Sequence, residues 1–161
     1  MNVGHLRRAA VAALALAALS PLSARAQGSD CGGPPTGVKI VVKVDNIRTS
    51  QGLMAVTFYD DEKKFLKPGG SIRVLREPAR AGSQTICYWV PKPGAYAVVV
   101  YQDLNSNHKF GFNVFTGPNE PWGLTGNPHS LTLLNRPTFN QVKFDAHQGE
   151  TNVQVSLNYP K

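Results

Sequence analysis

Asp103, Asn105 and Asn107 place three oxygen-bearing side chains at a spacing of two. A calcium loop opens this way, because alternate residues turn their oxygens toward one point. The sixth position of such a loop is normally Gly, and here it is His108. The later positions are poor: Lys109 is cationic, Gly111 has no side chain, and Val114 stands where a closing Glu belongs. Glu120 adds a second carboxylate only if the chain folds back. Ca²⁺ at Asp103, Asn105 and Asn107 is therefore expected to be weak. The competing reading is an Asx-rich turn whose side chains hydrogen-bond their own backbone. No other cofactor is expected.

Other chemistry is thin. His108, His129 and His147 share no i, i+2 or i, i+4 spacing, so nothing local builds a zinc or copper site. There is no Gly-x-Ser-x-Gly, and Asp60, Asp61 and Glu62 are consecutive and point apart. No residue set for an enzyme emerges, so a non-catalytic role is expected. Lys39 and Lys43 share a strand face, and Lys63, Lys64 and Lys67 crowd one short segment; both groups read as solvated faces.

The segment Asp103–Asn127 is long, aperiodic and rich in Asn, Gly, Pro and aromatics. Loops beyond about 12–15 residues in a compact domain are usually functional or disordered, and the aromatics argue against disorder. Phe112, Phe115, Glu120, Trp122 and Asn127 are accordingly the candidate residues for contact with a ligand or partner. The aromatics could equally plug one end of the core.

The elements that must carry this loop are strands. Val38, Ile40, Val42 and Val44 alternate with Lys39, Val41 and Lys43, a half-buried strand. Leu53–Tyr59, Ser71–Leu75 and Thr85–Val90 read as further strands, and Ala95–Tyr101 is apolar on both faces, as a central strand is. Val142, Phe144 and Ala146 suggest one more, and Val153, Val155, Leu157 and Tyr159 alternate cleanly in the last. Asp60–Leu66 is short, charged and free of Gly and Pro, and reads as one or two helical turns capped by Asp60 or Asp61. About seven short strands with turn signals roughly every ten residues give an all-β, immunoglobulin-like antiparallel β-sandwich with one short helix.

The start of the chain reads as a secretory signal. Arg7 and Arg8 precede the apolar run Ala9–Leu19, and Ala24-Arg25-Ala26 is a small-x-small cleavage pattern. The expected division is a signal peptide over 1–26, a flexible lead-in over 27–36 and a sandwich domain over 37–161. Cleavage removes three arginines and no acid from the 17 cations and 10 acids of the precursor. The net charge then falls from +7 to +4 on 135 residues, too little for a nucleic-acid binder. The expected place is a periplasm or the exterior, with no membrane span, as a monomer. In such an oxidising compartment the two cysteines, Cys31 and Cys87, are expected to form a structural disulfide.

Pro93-Gly94-Ala95-Tyr96, the strand after it, and Asp103-Leu104-Asn105-Ser106-Asn107 resemble a run found in transthyretin-like and collagen-adhesin B-type sandwiches. With Gly52–Asp60, Phe65-Leu66-Lys67-Pro68, the stretch from Gly117 to Pro128, and that from Arg136 to Phe144, the chain resembles more closely an exported bacterial family, domain of unknown function 2141. The resemblance runs over Val38–Tyr159. It implies the sandwich fold and export, and no activity. His108 and Gly111 depart from the family's usual Gly and acidic residue, which weakens a metal site. Tyr96 reads as the anchor of its strand, in the manner of a tyrosine corner. The expected function is an exported binding or accessory module presenting 103–127 to an envelope protein or small ligand.

Overall fold

Val38, Ile40, Val42 and Val44 are buried while Lys39, Val41 and Lys43 are less so, and this alternation lays down β1, Val38–Ile47. The computed structural model describes Met1, residues 31–132 and residues 134–160. Apart from Met1, the expected signal peptide lies outside the described residues. The remaining elements are β2 (Leu53–Tyr59), β3 (Arg73–Pro78), β4 (Gly82–Trp89), β5 (Gly94–Asp103), β6 (Phe112–Asn113), β7 (Gly117–Pro118), β8 (Trp122–Leu124), α1 (Phe139–Val142), β9 (Phe144–Ala146) and β10 (Gly149–Ser156).

Two sheets carry the fold. The first runs β10-β1-β4, the second β3-β2-β5-β8, with β9 paired to the start of β5. β1 meets β4 antiparallel and β10 parallel, so the first and last long strands lie side by side. Between the sheets, Val38, Ile40, Val42 and Val44 of β1 pack with Met54, Val56 and Phe58 of β2 and Tyr96, Val98 and Val100 of β5. Cys31 is joined to Cys87 of β4, tying the lead-in to the edge of the first sheet. Beside this staple, Gly32 exchanges backbone hydrogen bonds with Cys87 and Trp89. The Tyr96 hydroxyl donates to the Lys92 carbonyl at 2.7 Å, which is the expected strand anchor.

The single described helix is not where the charge pattern put it. Asp60–Leu66 forms successive tight turns instead: Lys64, Phe65 and Lys67 donate to the carbonyls of Asp61, Glu62 and Lys64. Asp61 does cap this run, accepting from the Lys63 N–H at 2.8 Å. The next residue after Phe65, Leu66, has φ 55°, which ends any helical continuation. The helix is α1, whose Gln141 side chain accepts from the Thr138 N–H, half of a capping box. The aperiodic loop also holds more structure than expected, since β6, β7 and β8 all lie within it.

β2 and β5 are apolar on both faces because the second sheet is covered on both. Its inner face meets the first sheet. Its outer face carries a second cluster in which Ala55, Tyr59, Val99, Tyr101 and Leu124 are covered by Phe65, Leu131, Phe139 and Val142. One close approach fixes the turn into β2. A Cβ on Gly52 (φ +71°) would stand 2.0 Å from the Asp103 carbonyl oxygen, so only glycine fits.

Candidate functional site

The outer face of the second sheet is a lattice of cross-strand rows. Register places Arg76, Ala55, Tyr101 and Trp122 in one row, and Val74, Thr57, Val99 and Leu124 in the next. Trp122 and Leu124 are buried under the covering loops. Over Thr57, Tyr59, Val99 and Tyr101 the cover is incomplete. A cleft of about 500 Å³ opens there, within the usual range for small-molecule sites.

Three walls surround this floor. Leu66, Lys67 and Pro68 come from the turns after β2; Phe110 and Phe112 from the long loop; Leu131 and Arg136 from the segment before α1. Phe110 packs on Tyr101 with ring centroids 5.1 Å apart, and on Phe112 at 6.4 Å. The Arg136 guanidinium stands 6.0 Å from the centre of the Phe112 ring. Arg76 reaches the rim from β3, donating to the Tyr101 hydroxyl at 3.5 Å and to the His108 carbonyl at 3.3 Å.

The floor is polar at specific points. Among the described residues no protein hydrogen bond reaches the hydroxyls of Thr57 or Tyr59, although both residues are buried. Buried hydroxyls usually find partners, so these two face whatever fills the cleft. Burial, and then the neighbouring Tyr101, push the Tyr59 phenol above its ordinary pKa of 10.0. Tyr59 is therefore a neutral donor at physiological pH. The cleft offers an apolar body, hydroxyls on its floor and cations on its rim. Among the described residues that line it there is no Ser, Cys, His, Asp or Glu.

The loop residues singled out from sequence are divided among different tasks. Phe112 stands in the cleft wall. Trp122 is buried beside Tyr101, and its backbone N–H and C=O both bond the backbone of Asn158. Phe115 lies at the tip between β6 and β7 and is 91% exposed. Its tip is held by Asn113, whose side-chain oxygen accepts from the Phe115 and Thr116 N–H groups. Asn127 accepts from the Ser156 N–H at 2.9 Å and so ties the loop to β10.

Glu120 is buried and pins the loop from within, accepting from the N–H of Leu104 and of Gly111. Asp103 is fully buried and does the same: its two oxygens accept from the N–H of Asn107 at 3.0 Å and of His108 at 2.7 Å. Asn105 accepts from the Asn107 N–H and Asn107 from the Lys109 N–H. The three side chains named for calcium thus each take backbone N–H groups of their own turn, as in Asx turns. Among the described residues no three His, Cys, Asp or Glu side chains gather as a metal group. His108 takes the glycine's part through its backbone, with φ 63°.

Thr57, Tyr59, Val99, Tyr101 and Arg136 were not singled out, and Lys67 was read as part of a solvated basic face. A signal existed for some of them. β2 and β5 carry apolar or aromatic residues on both faces, so something must cover each face. Nothing local marks Arg136, and Lys67 and Arg136 meet only through the fold.

A family model described as "Uncharacterized protein conserved in bacteria (DUF2141)" matches residues 42–154, from within β1 to within β10. No curated protein matches the chain, and no solved structure does.

Proposed function

The chain belongs to this family of uncharacterized bacterial proteins, DUF2141, and from that premise we propose that it is an exported, non-catalytic binding module. Its ligand site is the cleft on the outer face of the second sheet, with the long loop 103–127 supplying one wall. The observation that carries this reading is the pair of partnerless hydroxyls, Thr57 and Tyr59, on the floor of a cleft otherwise walled by aromatic and aliphatic side chains. Export to a periplasm or beyond is supported by the cationic start, the apolar run and the Ala24-Arg25-Ala26 pattern, and by the Cys31–Cys87 disulfide. Among the described residues no helix is long and apolar enough to cross a membrane.

The test uses the neutral fluorophore N-phenyl-1-naphthylamine. Titration of the protein is expected to give saturable binding at one site. Val99→Trp, which fills the floor, is expected to reduce that affinity at least about tenfold while the far-ultraviolet circular dichroism stays close to wild type and the melt stays cooperative, at a cost of about 1–3 kcal/mol. Binding that Val99→Trp does not alter would place the site elsewhere and overturn the reading, as would an absence of saturable binding.

A further inference from the structure

Resting on the assignment of the cleft as the binding site, we infer that its ligand is a small anionic amphiphile: an apolar aromatic or alkyl body carrying one carboxylate or sulfonate-like group. Charge is distributed unevenly around the cleft. Lys67 and Arg136 line it, and no carboxylate does. Arg76 adds a third cation through its hydrogen bond to the Tyr101 hydroxyl. The ion pairs among the described residues are Lys39–Glu150, Lys43–Asp45 and Lys64–Asp61, so none of the three rim cations has a carboxylate partner. Glu62 lines the neighbouring notch with Lys67 and Arg136, and its oxygen accepts from the Asn140 amide at 2.8 Å.

The chemistry follows from this layout. An arginine set over an aromatic ring, as Arg136 is over Phe112 at 6.0 Å, still has its N–H fork free to donate to the oxygens of an anion. Charge-assisted hydrogen bonds of this kind are about twice as strong as neutral ones, more so where the surroundings are apolar. A cationic ligand would meet three like charges and no counter-charge. A wholly apolar ligand would leave the Thr57 and Tyr59 hydroxyls unsatisfied. An anion at the rim, with its body over Val99 and against Phe110 and Phe112, answers both features.

The test compares two probes with the same apolar body, 8-anilinonaphthalene-1-sulfonate and N-phenyl-1-naphthylamine, which lacks the sulfonate. Wild-type protein is expected to bind the sulfonate about tenfold more tightly. In Lys67→Gln/Arg136→Gln that ratio is expected to fall to about one, and in Arg136→Lys to stay well above one. Near-ultraviolet circular dichroism reports on folding of each variant. A wild-type ratio at or below one, or a ratio unchanged in the double variant, would overturn anion recognition. In that case sensitivity of the neutral probe to Val99→Trp would leave the cleft assignment standing. Insensitivity of both probes to Val99→Trp would take down the cleft assignment and this inference together.

Discussion

Tyrosine and aspartate show how residue identity is spent in this protein. Asp103 and Glu120 place their side-chain oxygens in the interior and use them to hold four backbone N–H groups of one loop. Tyr96 and Tyr59 are both pushed above the ordinary phenol pKa, in each case chiefly by burial. The folded chain therefore holds these protons more tightly than the unfolded chain. Their contribution to stability is complete below the unfolded value of about 10 and is lost as pH rises through the raised folded values. Urea unfolding midpoints are expected to be level up to about pH 9 and to fall above about pH 10, with a shallower fall in Tyr59→Phe. An equal slope in that variant would show that Tyr59 does not contribute. At neutral pH the two phenols differ: Tyr96→Phe leaves the Lys92 carbonyl without its donor and is expected to cost about 1 kcal/mol, whereas among the described residues the Tyr59 hydroxyl has no hydrogen bond to lose.

Elements decide which aromatic residues are structural. β8 brings Trp122 into a row with Tyr101 and Ala55, while the β6–β7 hairpin carries Phe115 out into solvent. Both residues sit in one stretch of similar composition, and composition does not separate them. Trp122→Ala is expected to destabilise the fold by about 3–5 kcal/mol, and Phe115→Ser to change stability by less than about 0.5 kcal/mol. Chemical denaturation of both variants checks the contrast; comparable losses would mean that the hairpin tip is packed. The strands themselves were legible because their alternation is written in neighbouring residues, and Leu53–Tyr59 coincides with β2 to the residue. The helix was not. The charged run Asp60–Leu66 has a good cap but closes into tight turns, whereas Phe139–Val142 has only one turn and offers too short a window for a period to show.

At the scale of the whole molecule, the disulfide ties the lead-in to edge strand β4, and parallel pairing with β1 sets β10 at the other edge of the first sheet. Cys31–Cys87 spans 56 positions, so the loop-entropy relation gives it at most about 4 kcal/mol. Protein isolated without reductant is expected to show no free thiol on denaturation, and Cys31→Ser/Cys87→Ser to lower the unfolding free energy measurably while leaving the fold in place. Two titratable thiols in the wild-type protein would contradict the bridge. The second sheet is buried on both faces, so the chain on either side of β8, through Phe110, Phe112, Leu131, Phe139 and Val142, serves as a covering layer. The cleft is the gap in that layer. This explains why a stretch with little periodicity is nonetheless ordered around Phe110, Phe112 and Leu131.

Sequence alone determined the β class, most of the strands, the staple and the Tyr96 anchor. The strands and the anchor depend on alternation and turn residues, which act over short separations, and the staple, although it spans 56 positions, follows from there being only two cysteines to pair. The calcium-like spacing at Asp103, Asn105 and Asn107 was equally visible, but spacing does not say which donors those oxygens meet. Tertiary structure decided that they meet backbone N–H groups. It also gathered Thr57, Tyr59, Lys67, Val99, Tyr101 and Arg136 around one cleft. Those residues come from two paired strands and two crossing loops, separated by up to half the chain. Their meeting is set by strand register and by where the covering layer stops, and no local pattern encodes either.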